Sequence, residues 1–239
     1  MSNSIIIKNK IQNYNKKIFV SGDKSLSIRW VLFSSLATGL SKAKNLLLSE
    51  DVLAAINAIR KLGIKAEIKK NVCEIKGKGI NGYRYKKNIT INAQNSATLG
   101  RLILGLLINC SHPIKLIGDK SLSKRDFSRI IKPLNHFGVN IKSKNNLLPL
   151  KILGNNFLRP ITFDENIGSA QVKSCIIFAA LNTPGTTTIN AKRSRNHTEL
   201  MLKFLNYPIG IKRTKKLDKI SVNGLRQINA FKYDVPGDI

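Results

Sequence analysis

Gly22-Asp23-Lys24-Ser25-Leu26-Ser27-Ile28-Arg29 returns as Gly118-Asp119-Lys120-Ser121-Leu122-Ser123-Lys124-Arg125, changed at a single position. A duplicated GDKSLSxR word marks a chain assembled from repeated units, and each copy sets cations beside a turn. Working outward from the first copy, Leu26, Trp30, Phe33, Leu36 and Ala37 lie at helical spacing and predict an amphipathic helix over 25–37. Leu46 to Leu48 reads as a short strand, and Glu50-Asp51 opens a second helix that Gly63 stops at its C′ position. Two paired strands follow over 64–68 and 72–75, and a new element begins at 89–92. The order recurs with helices over 95–109 and 126–137 and strands at 114–117 and 139–141. It recurs again with helices over 169–181 and 197–205 and strands at 186–189, 209–212 and 219–222. Corresponding helices start about 70 residues apart. The expected fold is therefore α/β (α+β), one domain over 20–232 built from three β-α-β-α-β-β units with pseudo-threefold symmetry. The two copies of the repeated word fall at different places within their units.

The 239 residues are 42% hydrophobic, enough to bury a good core, and carry a formal net charge of +28. The lysines are spread along the whole chain, and the aromatic residues, 6% of the total, are not interleaved with them as a base-stacking surface requires. No nucleic-acid partner is expected; attraction of small anionic substrates is. No apolar run reaches the roughly 18 residues that cross a membrane, since Arg101 and Asn109 interrupt the best candidate. The first ten residues offer only Ile5 to Ile7 as an apolar block, too short for a signal peptide. Cys73, Cys110 and Cys175 show no CxxC spacing, so neither a disulfide framework nor a zinc site is indicated, and a cytoplasmic setting is expected.

Function is concentrated where the first helix of each unit begins. Lys24-Ser25, Asn95-Ser96 and Ser169 each sit at a helix N-terminus, where unpaired N–H groups and the dipole favour an anion. Related by symmetry, the three termini would share one region, with Lys24, Arg29, Arg125 and Arg195 adding charge and Arg101 and Lys173 inside the helices. Two separate anions, such as a phosphate and a carboxylate, suit that arrangement. Other chemistries are missing. Asp23 and Ile18 stand where a Walker A motif needs glycines, no GxGxxG follows a strand, and no metal or cofactor is expected. His112, His136 and His197 lie in unrelated segments, and His197 opens a helix. Asp164, Glu165 and Glu199 are placed as caps or surface charges, and no carboxylate pair for acid–base work is evident.

Six segments, in this order, resemble the EPSP synthase family of enolpyruvyl transferases. They are Ser21 to Arg29, Gln94-Asn-Ser-Ala-Thr-Leu-Gly-Arg101, Gly118 to Arg125, Gly168-Ser-Ala-Gln-Val-Lys-Ser174, Ser194-Arg-Asn-His-Thr-Glu199 and Val235-Pro-Gly-Asp238. The Ser-Ala-Gln-Val-Lys and Arg-Asn-His-Thr-Glu wording is similar to the branch called class II, associated with glyphosate insensitivity. The family has two like domains, each of three β-α-β-α-β-β units, with the active site between them. The resemblance implies transfer of the enolpyruvyl group of phosphoenolpyruvate to the 5-hydroxyl of shikimate 3-phosphate, a step of the shikimate pathway towards aromatic amino acids, by a monomer. It implies that Lys24, Ser25, Arg29, Ser169, Ala170 and Gln171 bind shikimate 3-phosphate, with Ser194 or Arg195 on its phosphate. It places Lys24, Ala97, Arg125 and Gln171 at phosphoenolpyruvate.

There are departures. Ser21 replaces the usual Pro, Ile28 the usual His before Arg, and Ala97 a common Gly, whose added methyl is linked in the family to poorer inhibitor fit. Members of the family are nearly twice as long. The expectation is therefore one domain with stubs of a second, residues 1–19 and 233–239, and with the catalytic acid and base absent from these residues. Such a chain is expected to bind shikimate 3-phosphate weakly and not to turn over. A UDP-N-acetylglucosamine-directed sister enzyme is disfavoured, because it lacks the class II wording. The alternative from another class is a non-catalytic basic domain binding anions or nucleic acid.

Overall fold

Asp23 starts the first helix: its Oδ1 accepts the Leu26 N–H at 2.5 Å and its carbonyl accepts the Ser27 N–H at 2.9 Å. Asp119 repeats both bonds, with Leu122 at 2.6 Å and Ser123 at 2.9 Å. The repeated word thus folds into the same turn twice. After the first copy come Trp30, Val31, Leu32 and Phe33, all buried, and the turn runs on as α1 (Lys24–Leu36). The second copy ends in Lys124-Arg125 and is followed by Asp126, and the turn ends as one 3-10 segment (Leu122–Lys124).

The structure is a computed structural model that describes residues 20–70 and 72–238, with isolated positions 6, 13, 15 and 18 before them. The expected stub over 1–19 lies, those positions apart, outside the described residues, as does Ile239. After α1 follow β1 (Thr38–Lys44), α2 (Glu50–Lys61), β2 (Lys65–Lys69) and β3 (Val72–Lys78). The second unit is β4 (Thr90–Asn92), α3 (Ala97–Leu106), β5 (Ile114–Ile117), α4 (Ser128–His136), β6 (Asn140–Lys142) and β7 (Leu150–Leu153). The third is β8 (Thr162–Glu165), α5 (Ala170–Leu181), β9 (Thr186–Ala191), α6 (His197–Phe204), β10 (Ile209–Arg213) and β11 (Asp218–Asn223), and β12 (Lys232–Asp234) closes the order.

The strands form three four-stranded sheets of one topology: β12-β1-β3-β2, β4-β5-β7-β6 and β8-β9-β11-β10. In each, an edge strand runs parallel to its neighbour and the remaining pairs are antiparallel. This is the expected three-unit α/β fold, with one difference in connectivity. The first unit takes its parallel edge strand from β12, so the boundary expected after residue 232 falls inside a strand of the first sheet.

Two local expectations change. The strand between the first two helices is Thr38–Lys44, not Leu46 to Leu48; Ser41 and Ala43 alternate with exposed lysines, a pattern too polar to stand out. Helix α1 is not amphipathic, because every residue from Ser27 to Leu36 is buried. Polar groups on it are used inside. Ser27 Oγ accepts the Leu47 N–H at 3.1 Å, and Ser35 Oγ donates to the Leu32 carbonyl at 2.6 Å and meets the Tyr83 hydroxyl at 2.7 Å. Helix α5 is likewise buried from Val172 to Leu181, and α3 over most of its length. These three form the centre of one continuous core, with the Phe33 and Phe178 rings 4.7 Å apart. Helices α2, α4 and α6 lie outside them and end in left-handed residues, Gly63 (φ 85), Gly138 (φ 98) and Asn206 (φ 53).

A second threefold set holds each sheet against its central helix. A Cβ on Gly77 would lie 2.1 Å from the Ala37 carbonyl, one on Gly154 2.2 Å from the Cys110 nitrogen, and one on Gly224 1.8 Å from the Thr183 carbonyl. Gly77 is the penultimate residue of β3, Gly154 and Gly224 directly follow β7 and β11, the equivalent strands of their sheets, and each lies against the chain leaving that unit's central helix. In an ordinary strand, alanine is more stable than glycine. Here Gly77→Ala, Gly154→Ala and Gly224→Ala are each expected to lose about 1–3 kcal/mol, read from urea unfolding, because the backbone must move apart. A gain at any of them would show that this contact does not set the spacing.

Candidate anion-binding site

The N-terminal ends of α1, α3 and α5 are capped alike. Asp23 caps α1, Ser96 Oγ accepts the Leu99 N–H at 3.3 Å, and Ser169 Oγ accepts the Val172 N–H at 3.3 Å. The loop into α5 is gathered by Glu165, which is 3% exposed. Its carboxylate accepts the N–H groups of Ile167, Gly168 and Ser169 at 3.2, 2.7 and 3.0 Å. Glu165 is therefore a cap, as its sequence position suggested.

Side chains tie the three ends together. Arg29, only 4% exposed, donates from Nε to Thr198 Oγ1 at 2.7 Å, from Nη2 to Ser174 Oγ at 3.0 Å and from Nη1 to the Ser25 carbonyl at 3.0 Å. Three of its five N–H groups are thereby used; the other two, one on each terminal nitrogen, have no partner among the described residues. Such a pair is the fork that grips a phosphate or carboxylate. Arg101 donates to Gln171 Oε1, and Gln171 Nε2 donates to Thr98 Oγ1 at 3.1 Å, joining α3 to α5. Arg101 also lies over the Phe127 ring, 5.8 Å from its centroid.

Burial makes these cations costly. Desolvation lowers the Arg29 pKa to about 10; Glu199 and Asp23 oppose the shift, and Arg195 adds to it. Arg101 is lowered by partial burial first, then by Arg125 and Arg129. Both guanidinium groups remain charged at neutral pH and gain from an arriving anion.

The residues named from sequence fall into three sets. Arg29, Ser25 and Gln171 are joined in the networks above, Ser169 caps the same face, and Ala170 and Ala97 follow the caps half-buried. Arg125 and Arg195 are exposed but within electrostatic reach of Arg101 and Arg29 respectively. Lys24 points to α2, with Nζ 3.0 Å from Asp51 Oδ2. Ser194 stands apart: its hydroxyl, buried without a protein partner, lines a cavity of about 280 Å³ with Arg193, Asn196, Arg213 and Asp218. Lys173, counted from sequence among the helix cations, is buried and engaged with Glu199 at 2.7 Å. Glu199 is accordingly neither a cap nor a surface charge. Sequence reasoning missed Thr98, Ser174 and Thr198 as ligands of the two arginine networks. The signal for Ser174 was present, since 170 and 174, like 25 and 29, are one helical turn apart.

Among the described residues no three His, Cys, Asp or Glu side chains are grouped to hold a metal ion, and no helix is long and apolar enough to cross a membrane. A groove of about 710 Å³ along α2 beside Asn92 and Gln94 contains none of the arginines of this site. The site is instead an open surface where helix ends meet.

A family model described as EPSP synthase (3-phosphoshikimate 1-carboxyvinyltransferase) matches residues 8–239. The 3-phosphoshikimate 1-carboxyvinyltransferase of Ruthia magnifica subsp. Calyptogena magnifica is 42% identical over 222 residues, 92% of this chain and 50% of that protein. Its counterpart from Streptococcus pyogenes serotype M4 is 42% identical over 225 residues, 93% of this chain and 52% of that protein. The solved EPSP synthase of Acinetobacter baumannii superposes with a TM-score of 0.86 at 34% identity, over 93% of this chain and 50% of that one. The chain spans about half the length of the curated relatives it matches.

The site gives one titration to measure. His197 has a pKa below the ordinary 6.5, lowered first by burial and then by Arg29, with Arg195 acting the same way and Asp23 and Glu199 opposing. A depressed histidine binds fewer protons folded than unfolded, so its contribution to stability is lost as pH falls from 6.5 through the lowered value. An NMR titration of the imidazole is expected to give a value below 6.5, moving upward when phosphate neutralises the arginines; a value at or above 6.5 without phosphate contradicts the burial described.

Proposed function

The chain belongs to the EPSP synthase family, and from that premise we propose that the protein transfers the enolpyruvyl group of phosphoenolpyruvate to the 5-hydroxyl of shikimate 3-phosphate. One observation carries the assignment of this half to the substrates. The N-termini of three buried helices meet, and a buried arginine among them keeps two N–H groups without a partner among the described residues.

In this reading Arg29, with Ser169, Ala170 and Gln171, holds shikimate 3-phosphate. Arg195 or Ser194 completes its phosphate site, and Arg195 has the support of its electrostatic coupling to Arg29. Arg125, Lys24, Gln171 and the backbone beside Ala97 receive phosphoenolpyruvate, for which Lys24 exchanges Asp51 for a substrate oxygen. Gln171 then stands between the two ligands, already oriented by Arg101 and Thr98. The methyl of Ala97 narrows the phosphoenolpyruvate side. Ser25 contributes through its carbonyl, which fixes Arg29, and through a half-buried hydroxyl.

The reaction adds the 5-hydroxyl oxygen to C2 of phosphoenolpyruvate while a proton goes to C3. Phosphate then leaves C2 as a C3 proton is removed. Two polyanions must be brought together first, and fixed cations in a partly dry site both position them and screen their repulsion. The residues described here supply that binding and screening. Proton transfer is assigned to a second domain of like build.

Calorimetry at low salt is expected to show shikimate 3-phosphate binding to the 239-residue chain, weakened at least about tenfold in Arg29→Ala. The chain alone is expected to release no phosphate from phosphoenolpyruvate. Binding unaffected by Arg29→Ala would remove the site proposed; turnover by this chain would remove the division of labour.

A further inference from the structure

Lys173 and Glu199, one residue from Ser174 and one from Thr198, form an ion pair at 2.7 Å with side chains 1% and 3% exposed. Every other ion pair among the described residues has at least one side chain in substantial contact with solvent. We infer that this pair is a positioning element for Arg29, holding the two hydroxyls that aim its guanidinium; the inference rests on the anion site proposed above.

The hydrogen bonds around Arg29 admit a single ordering of protons. Ser174 Oγ lies 2.6 Å from the Ala170 carbonyl, which can only accept, so the Ser174 hydroxyl donates there. Ser174 and Thr198 hydroxyls are 2.7 Å apart, so Thr198 donates to Ser174. Both oxygens then keep lone pairs for Arg29, Thr198 for Nε and Ser174 for Nη2. Two neighbouring hydroxyls thus match one edge of the guanidinium. That match requires α5 and α6 to keep their present register.

Little else fixes the register of α6 at this end. The helix has only 8 residues, and its N-cap Asn196 makes no side-chain capping bond. Thr198 and Glu199 are in its first turn, and the Glu199 bond to α5 spans the same two helices as the Thr198 bond to Ser174. The pair is poorly suited to a purely stabilising role. Among the described residues Glu199 Oε2 has no hydrogen-bond partner, and Lys173 Nζ, although 2.7 Å from Glu199 Oε1, makes no aligned hydrogen bond. An apolar pair of like volume commonly holds two helices as well or better. Charge gives a second reason. Arg29 and Lys173 are two buried cations sharing Glu199, since the other buried carboxylate, Glu165, is taken up by three backbone N–H groups, and Glu199 is the foremost group holding Arg29 in its charged form. The Arg29–Lys173–Glu199 cluster retains one positive charge, directed through Arg29 at the ligand.

The test reads Arg29 directly. In the 239-residue chain the Arg29 Nε–H, bonded to Thr198, is expected to be protected from exchange with water. In Lys173→Met/Glu199→Gln, both charges are removed at nearly constant volume. Unfolding is expected to stay cooperative, while Nε–H exchange accelerates at least about tenfold and inorganic phosphate binds correspondingly less. Lys173→Met alone releases Glu199 to neutralise Arg29, so phosphate binding is expected to fall further. Glu199→Asp, which shortens the tether but keeps the charge, is expected to speed exchange too, and it serves if the double variant does not fold. Native exchange rates in a folded double variant, or in Glu199→Asp, overturn the inference. Exchange is measured without ligand, so failure of the native chain to bind phosphate counts against the proposed anion site and leaves this test intact.

Discussion

Parallel packing of three fully buried helices is the constraint from which the rest of the molecule follows. Helices α1, α3 and α5 cannot turn a polar face to solvent, because almost every residue on them is inside. Their dipoles point the same way, which is unfavourable among themselves and concentrates unpaired N–H groups at one end. Asp23, Ser96 and Ser169 each satisfy one such donor from within the chain. An external anion satisfies others and relieves the alignment at the same time. The arginines complete the arrangement, since each is placed where burial is costly and an arriving charge offsets that cost. Binding capacity is thus a product of how the core is packed, before any single ligand residue is considered.

How much of this was legible depended on range along the chain. The word GDKSLSxR encodes a turn within itself, because the Asp oxygens reach N–H groups three and four residues on. Helix type, helix ends at Gly63 and Gly138, and the threefold order were readable for the same reason. Strand β1 was misplaced because Thr38 to Lys44 has only Ser41 and Ala43 buried, leaving no apolar alternation. Strand β12 could not be assigned to the first sheet at all, since its pairing with β1 depends on closure of the entire ring of units.

The site divides along the same line. Arg29, Gln171 and Ser169 stood out as polar residues at helix starts. Their partners did not: Arg29 finds Ser174 across 145 residues and Thr198 across 169, and no local pattern announces either. Lys173 illustrates the cost of reading locally. By sequence it was one more cation near a helix start. In the fold its charge is cancelled by Glu199, and its neighbours Val172 and Ser174 are buried with it.

The strand that closes the first sheet also sets a schedule. Asn45 bonds the Val235 carbonyl across 190 residues, and Lys42, Ala43 and Lys44 pair with Lys232, Tyr233 and Asp234. A ribosome delivers β1 some 190 residues before its parallel neighbour. Over that interval the nascent chain carries an unpaired strand edge, while the second and third sheets receive all four strands as they emerge. The symmetry of the three units is not shared by their assembly, in which the unit made first is the last of the three to be completed.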